Sequence, residues 1–83
     1  MQMEMDAKTI KEMIIKPKLI EIFGNAIGSS LLTKATLAGI KGGTEQEKLE
    51  LMVETIFSNP FVVGMWGAAQ TERLRQEWLN SLV

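Results

Sequence analysis

The side chains able to do chemistry in this 83-residue chain are carboxylates, lysines and hydroxyls, because it contains no His, Cys or Tyr. Histidine is the usual general base near neutral pH, and cysteine is the strongest side-chain nucleophile. Four closely spaced carboxylates would suit acid–base work: Glu45, Glu47, Glu50 and Glu54. They fall on the polar side of an amphipathic helix, where solvation explains them. We therefore expect no enzymatic activity, no catalytic residue and no cofactor.

Metal and phosphate sites have little support in the sequence. Zinc sites draw on Cys and His, while carboxylates alone favour calcium or magnesium, and the chain lacks a D-x-[DN]-x-[DN]-G loop. Lys41-Gly42-Gly43-Thr44 places a Lys and a Thr near a helix start, but without the spacing of a phosphate-binding loop. Glu45 and Glu47 would also repel an anion there. We expect no metal and no small-molecule substrate.

Local signals along the chain favour helices throughout. Asp6 is a suitable N-cap for a first helix, and apolar residues then recur at helical spacing. Pro17 cannot donate a backbone hydrogen bond, so the helix either kinks there or ends and restarts. Gly24-Asn25 is typical of a helix C-terminus.

The second half of the chain begins with the clearest helix signal. Thr44 and Glu47 have the spacing of a capping box, and Asn59-Pro60 is typical of another helix start. Between them, an apolar stripe predicts the buried side of the intervening helix: Leu49, Met52, Val53 and Ile56.

The last segment, residues 60–83, carries two divergent apolar stripes. The first consists of Val62, Trp66 and Ala69, and the second of Leu74, Trp78 and Leu82. On a straight helix they would point about 160° apart, so we predict a bend near Gly67. Residues 60–69 are apolar nearly all round, which predicts burial on several sides. The predicted fold is all-α: one domain over residues 1–83, a compact bundle of four to five short helices, with a kink or break at Pro17.

Aromatic and Met residues are the most suggestive functional feature. Tryptophan is enriched at interface hot spots, and Met-rich surfaces adapt to varied partners. We predict a protein interface formed by Met65, Trp66, Leu74, Trp78 and Leu82. Gly24 and Gly28 have a G-x-x-x-G spacing, which predicts close helix packing, within the chain or between chains.

The leading hypothesis is therefore a non-enzymatic helical interaction protein. It would self-associate or dock on a larger protein as an accessory subunit, regulator or inhibitor, a type common among phage and mobile-element products. Its partner is a protein or a further copy of itself. A small chain without Cys has oligomerisation as its remaining means of added stabilisation.

Two alternatives remain open. A helix-turn-helix regulator would use residues 32–38 and 44–57, but its recognition helix opens with glutamates, and the net charge is −1. A membrane-surface protein would use residues 19–40. Glycine, proline and polar residues interrupt every uncharged run, so we predict no transmembrane segment. The acidic N-terminus and the absence of Cys favour a cytoplasmic location.

Overall fold

The computed structural model describes residues 6–82, and they contain helices and no strand. The all-α prediction is therefore confirmed. In chain order the elements are α1 (Ala7–Ile10), a π-helical segment (Lys11–Ile15), α2 (Lys16–Gly39), α3 (Glu45–Phe57), α4 (Pro60–Trp66) and α5 (Ala68–Leu82).

The helix starts are the ones that the sequence predicts. The Asp6 carboxylate caps α1. At α3, the Glu47 amide donates to the Thr44 hydroxyl at 3.1 Å, and the Thr44 amide donates to the Glu47 carboxylate at 3.2 Å. The Phe61 amide donates to the Asn59 side chain at 2.8 Å, with Pro60 in the first turn of α4. These side chains satisfy amides that no helical carbonyl can reach.

Removal of the α3 cap should weaken the fold measurably. We expect Thr44→Ala to lower the free energy of unfolding by about 1 kcal/mol, since an amide of the first turn loses its acceptor. Thr33→Ala is the matched control, because Thr33 is exposed within α2 and its hydroxyl bonds only to the Ser29 carbonyl. Urea unfolding followed by circular dichroism measures both. Equal effects of the two substitutions would contradict the role of the cap.

Pro17 does not break the helix. Lys16 keeps φ −58 and ψ −50, so right-handed helical backbone continues from the π-helical segment into α2. The local change lies in the hydrogen-bond pattern, which widens to a π-helical turn over Lys11–Ile15. Proline lacks the amide hydrogen and its ring crowds the carbonyl four residues earlier, so a wider turn before it relieves both problems.

The sharp changes of direction occur at two glycines instead. Gly24 divides α2 with φ 85 and ψ 169, and Gly67 separates α4 from α5 with φ 84 and ψ 158. The predicted helix end at Gly24-Asn25 and the predicted bend near Gly67 are therefore both confirmed. Beyond Gly24 the chain folds back, and an added Cβ at Gly28 would lie 2.9 Å from the Leu19 carbonyl oxygen.

The core lies between α3 and the helices that surround it. The predicted stripe of α3 is buried in full: Leu49, Met52, Val53 and Ile56. Other fully buried side chains come from the π-helical segment, α2 and α4: Ile15, Leu19 and Val62. Gly39 allows α2 to approach α3 closely, because an added Cβ would lie 3.0 Å from the Met52 side chain.

Candidate interaction surface

The five residues that the sequence assigns to an interface have different environments. Trp78 is only 8% exposed and packs edge-on against Phe57, with ring centroids 5.0 Å apart. The Lys18 ammonium lies 5.8 Å from the Trp78 ring centroid, within the range of a cation–π contact. The structure therefore places Trp78 in the core of the single chain.

The other four residues lie nearer the surface. Three of them are half-buried and pack against the core: Trp66, Leu74 and Leu82. Met65 is 46% exposed. Of the predicted set, Met65 and Trp66 are therefore neighbours on α4 at the surface, whereas Leu74 and Leu82 belong to the side of α5 that faces the core.

An aromatic cluster connects the core to the surface of α4. The Trp66 ring centroid lies 6.4 Å from that of Phe57, which is buried, and 5.4 Å from that of Phe23. Phe23 in turn lies 6.5 Å from Phe61, which is 50% exposed. Aromatic pairs at these separations attract one another beyond their buried area. Phe61, the outermost ring, thus joins the cluster through its contact with Phe23.

Phe61, Gly64 and Met65 form the exposed side of α4, and together with Phe23 and Trp66 we name them the apolar face. Phe61 and Met65 are one helical turn apart, so their side chains project from the same side of the helix. Val62 is the buried residue of α4. The sequence predicts burial of this segment on several sides, but in the structure only one side of the short helix packs on the rest of the chain.

The apolar face also lies where the two longest charge-free runs of the sequence meet. These are residues 22–33, bounded by Glu21 and Lys34, and residues 55–71, bounded by Glu54 and Glu72. The contacts of Phe23 with the two α4 aromatics bring them together. Periodicity alone does not reveal this surface, because it depends on how the chain folds back at Gly24.

The acids that border the second run are paired within the chain. The Arg75 guanidinium binds the Glu72 carboxylate at 2.8 Å and also contacts the Glu54 carboxylate. Hydrogen bonds from Arg75, and then from Gln76, lower the pKa of Glu72 to about 2. Both carboxylates therefore have a cationic partner in the chain itself.

A second feature, to which no residue of α4 contributes, is an open cavity of about 490 Å³ between α1, the end of α2 and the start of α3. Its charged lining is mixed, with the carboxylates of Asp6 and Glu45 beside three lysines: Lys8, Lys11 and Lys48. Glu45 and Lys48 pair at 3.2 Å. Three cationic side chains thus face two anionic ones, and the charges largely compensate one another. Among residues 6–82, no cluster of three or more carboxylates could hold a metal ion.

Comparisons of the chain with protein-family models, with curated proteins and with solved structures each gave no match. The function of the apolar face is therefore inferred from its own composition and geometry. Over the described part of the chain, none of the helices has both the length and the apolar character that crossing a bilayer requires.

Proposed function

We propose that this chain is a non-enzymatic interaction protein that binds a protein surface, its own or that of a larger protein, through the apolar face. The observation that carries the proposal is the aromatic cluster that leads from buried Phe57 to half-exposed Phe61. Interface cores are poor in charge and rich in aromatic residues and Met, which is the composition of this face.

Energetics support binding at this position. Phe61 and Met65 each keep about half of their surface in water, and burial of a whole Phe or Met side chain is worth about 1.5–3 kcal/mol. The contact with Phe23 already limits one side of the Phe61 ring, which reduces the side-chain entropy that binding would cost. The face can therefore contribute favourable free energy to a complex without rearrangement of the fold.

The test is a pair of substitutions on the face. We expect Phe61→Ala combined with Met65→Ala to weaken association at least about tenfold, because two central apolar contacts are lost. The melting temperature of the unassociated chain should change little, since both side chains are half exposed. Light scattering over a hundredfold dilution measures self-association. Affinity capture from the native lysate, compared between wild type and variant, measures a foreign partner.

Ile40→Ala is the control, because Ile40 is 69% exposed and lies outside both charge-free runs. It should leave every association intact. The proposal is overturned if the double variant associates as well as the wild type, or if Ile40→Ala weakens association equally. It is also overturned if the wild type neither self-associates nor captures any protein that the double variant fails to retain.

A further inference from the structure

We propose that α4 and α5 also form one continuous helix, which carries α5 to a second copy of this chain, so that two copies exchange α5. In the exchanged dimer, α5 of each copy occupies the place on α3 that α5 holds in the single chain. The inference goes beyond the proposed function and does not involve the apolar face. Three observations carry it: the backbone at Gly67, the directions of the two apolar stripes, and the contacts of α5.

The backbone between α4 and α5 is close to that of a single helix. The Gly67 amide donates to the Val63 carbonyl at 2.7 Å, and the Thr71 amide donates to the Gly67 carbonyl at 3.0 Å, which is α-helical pairing. Within residues 60–82, the three intervening bonds, from the amides of residues 68–70 to the carbonyls of residues 64–66, are not made. The positive φ of Gly67 interrupts them. Rotation of this one residue to helical angles restores all three bonds and gives a helix about 35 Å long.

The start of α5 also lacks a feature that other helix starts of the chain have. Side chains cap α1, α3 and α4, namely those of Asp6, Thr44 and Asn59. The residue before α5 is Gly67, which has no side chain that could accept a hydrogen bond from the first turn. A continuous helix removes this uncapped start.

The two apolar stripes explain why a single chain needs the turn at Gly67 and an exchanged dimer does not. On a straight helix, Val62 and Trp78 point about 160° apart. Both are buried in the single chain, because the turn directs both stripes to one core. On a continuous helix they face opposite sides. The α4 stripe then packs on the core of its own copy, and the α5 stripe packs on the core of the other copy.

A second copy is the occupant because the place that α5 leaves is matched to this sequence. There the Trp78 ring packs edge-on against Phe57, with centroids 5.0 Å apart, and the Arg75 guanidinium binds Glu54 of α3. Departure of α5 leaves Phe57 and Glu54 without these partners. The α5 of another copy restores both contacts, whereas a foreign helix would need the same residues at the same spacing. Exchange of an identical element is therefore a low-cost route to a dimer.

Exchange of α5 is expected to be slow and to increase with concentration. The helix must leave its place before it is exchanged, which exposes Trp78, a side chain only 8% exposed in the single chain. Joining two copies costs translational and rotational freedom, so the single chain dominates in dilute solution. The exchanged dimer also separates slowly once formed. It is thus distinct from the reversible association through the apolar face that dilution measures.

The first test replaces Gly67. We expect Gly67→Ala to lower the dimer dissociation constant at least about tenfold, because alanine disfavours the positive φ of the single chain and favours the helical backbone of the dimer. Sedimentation of samples refolded from urea at each concentration measures the dimer fraction. Gly64→Ala is the control and should leave the constant unchanged, since Gly64 is helical in both forms. Equal constants for Gly67→Ala and the wild type would overturn the inference.

A second test keeps Gly67 and identifies which copy supplies α5. Because the sequence has no cysteine, Glu54→Cys and Arg75→Cys can be placed on separate chains, which are unfolded together in urea and refolded at high concentration. A short bismaleimide then joins neighbouring thiols, each of which adds to one maleimide double bond.

Exchange brings the two cysteines together, so we expect at least about tenfold more cross-linked heterodimer than with Leu37→Cys in place of Glu54→Cys. Leu37 is 61% exposed on α2. Mass spectrometry identifies the heterodimer, and its yield should rise with concentration. Equal yields from the two pairs would show that α5 of one copy does not reach α3 of the other, and would overturn the exchange.

The outcomes also separate this inference from the proposed function. Phe61→Ala combined with Met65→Ala should leave the cross-linked heterodimer intact, since both side chains lie on the exposed side of α4. If that variant loses the heterodimer, the copies associate through the apolar face, which overturns the exchange and supports the proposed function. If the heterodimer persists while all reversible association is unaffected by the double substitution, the exchange stands and the proposed function fails.

Discussion

Replacement of Ile56 by alanine is expected to lower the free energy of unfolding by about 2–5 kcal/mol. Ile56 lies on the buried stripe of α3 and is fully enclosed. The substitution removes three carbon atoms and leaves a cavity whose lining loses its contacts. Since domains of ordinary stability unfold at a cost of about 5–15 kcal/mol, the loss is a large fraction of the total. Urea unfolding followed by circular dichroism measures this loss. The dependence of the unfolding free energy on urea concentration should be the same in both variants.

Ile40→Ala provides the matched control for this prediction. The chemical change is the same, but Ile40 is among the most exposed apolar residues, so its free energy of unfolding should change by less than about 0.5 kcal/mol. If both isoleucine variants lose the same stability, α3 does not direct its stripe into the core as described.

Substitution of Gly24 or Gly67, the two glycines at the sharp changes of direction, is also expected to have a large effect. We expect Gly24→Ala and Gly67→Ala each to cost about 1–3 kcal/mol, because φ near 85 with ψ near 160–170 is a conformation that residues with a side chain rarely adopt. Nothing lies within 4 Å of an added Cβ at either position. The loss is therefore a backbone effect and not a packing clash. Thermal and urea unfolding both measure it.

Gly64→Ala is the control for Gly24 and Gly67, and it should raise the free energy of unfolding where the other two substitutions lower it. Its backbone is helical and the space around it is open, so we expect a gain of about 0.5–1 kcal/mol in dilute solution. All three glycines have open space around an added Cβ, so differences in stability among the three alanine variants report backbone conformation alone. If Gly24→Ala or Gly67→Ala stabilises the chain as Gly64→Ala does, the fold does not require the positive φ at that glycine.

The helix starts and the buried side of α3 could be predicted because their signals are local. The Thr44 hydroxyl accepts from the amide of Glu47, three residues away, and the Asn59 side chain accepts from the amide of Phe61, two residues away. The stripe of α3 follows from helical periodicity, which places its members on one side of the helix. Each of these predictions depends on residues within a few turns of one another.

Other features depend on contacts between distant residues, which no local pattern contains. Pro17 predicts an irregularity in the helix. Whether the helix ends there or changes to a π-helical hydrogen-bond pattern depends on how the neighbouring residues pack. Trp78 and Trp66 look alike in sequence, yet one is enclosed in the core and the other lies at its edge. The exposure of Phe61 is not predicted by the sequence, because α4 is apolar nearly all round and only its packing through Val62 decides which side remains in water.

The wider functional interpretations stay predictions. They comprise the roles of regulator, inhibitor or accessory subunit, the cytoplasmic location, and the helix-turn-helix and membrane-surface alternatives. Binding to DNA in low-salt gel shifts that weakens steeply as salt rises would support the helix-turn-helix alternative over the interaction surface.

The carboxylate of Glu45 joins two helix starts that are distant in sequence. It accepts a hydrogen bond from the Ala7 amide at 2.7 Å, at the first residue of α1, while it occupies the first turn of α3. The Ala7 hydrogen bond, and then Lys48, lower the pKa of Glu45. Its stabilising contribution is therefore present above the ordinary pKa of a glutamate and is lost as the pH falls through the lowered value. Protonation of Glu45 weakens its bond to the Ala7 amide, so acidification is expected to loosen the link between the start of α1 and the start of α3.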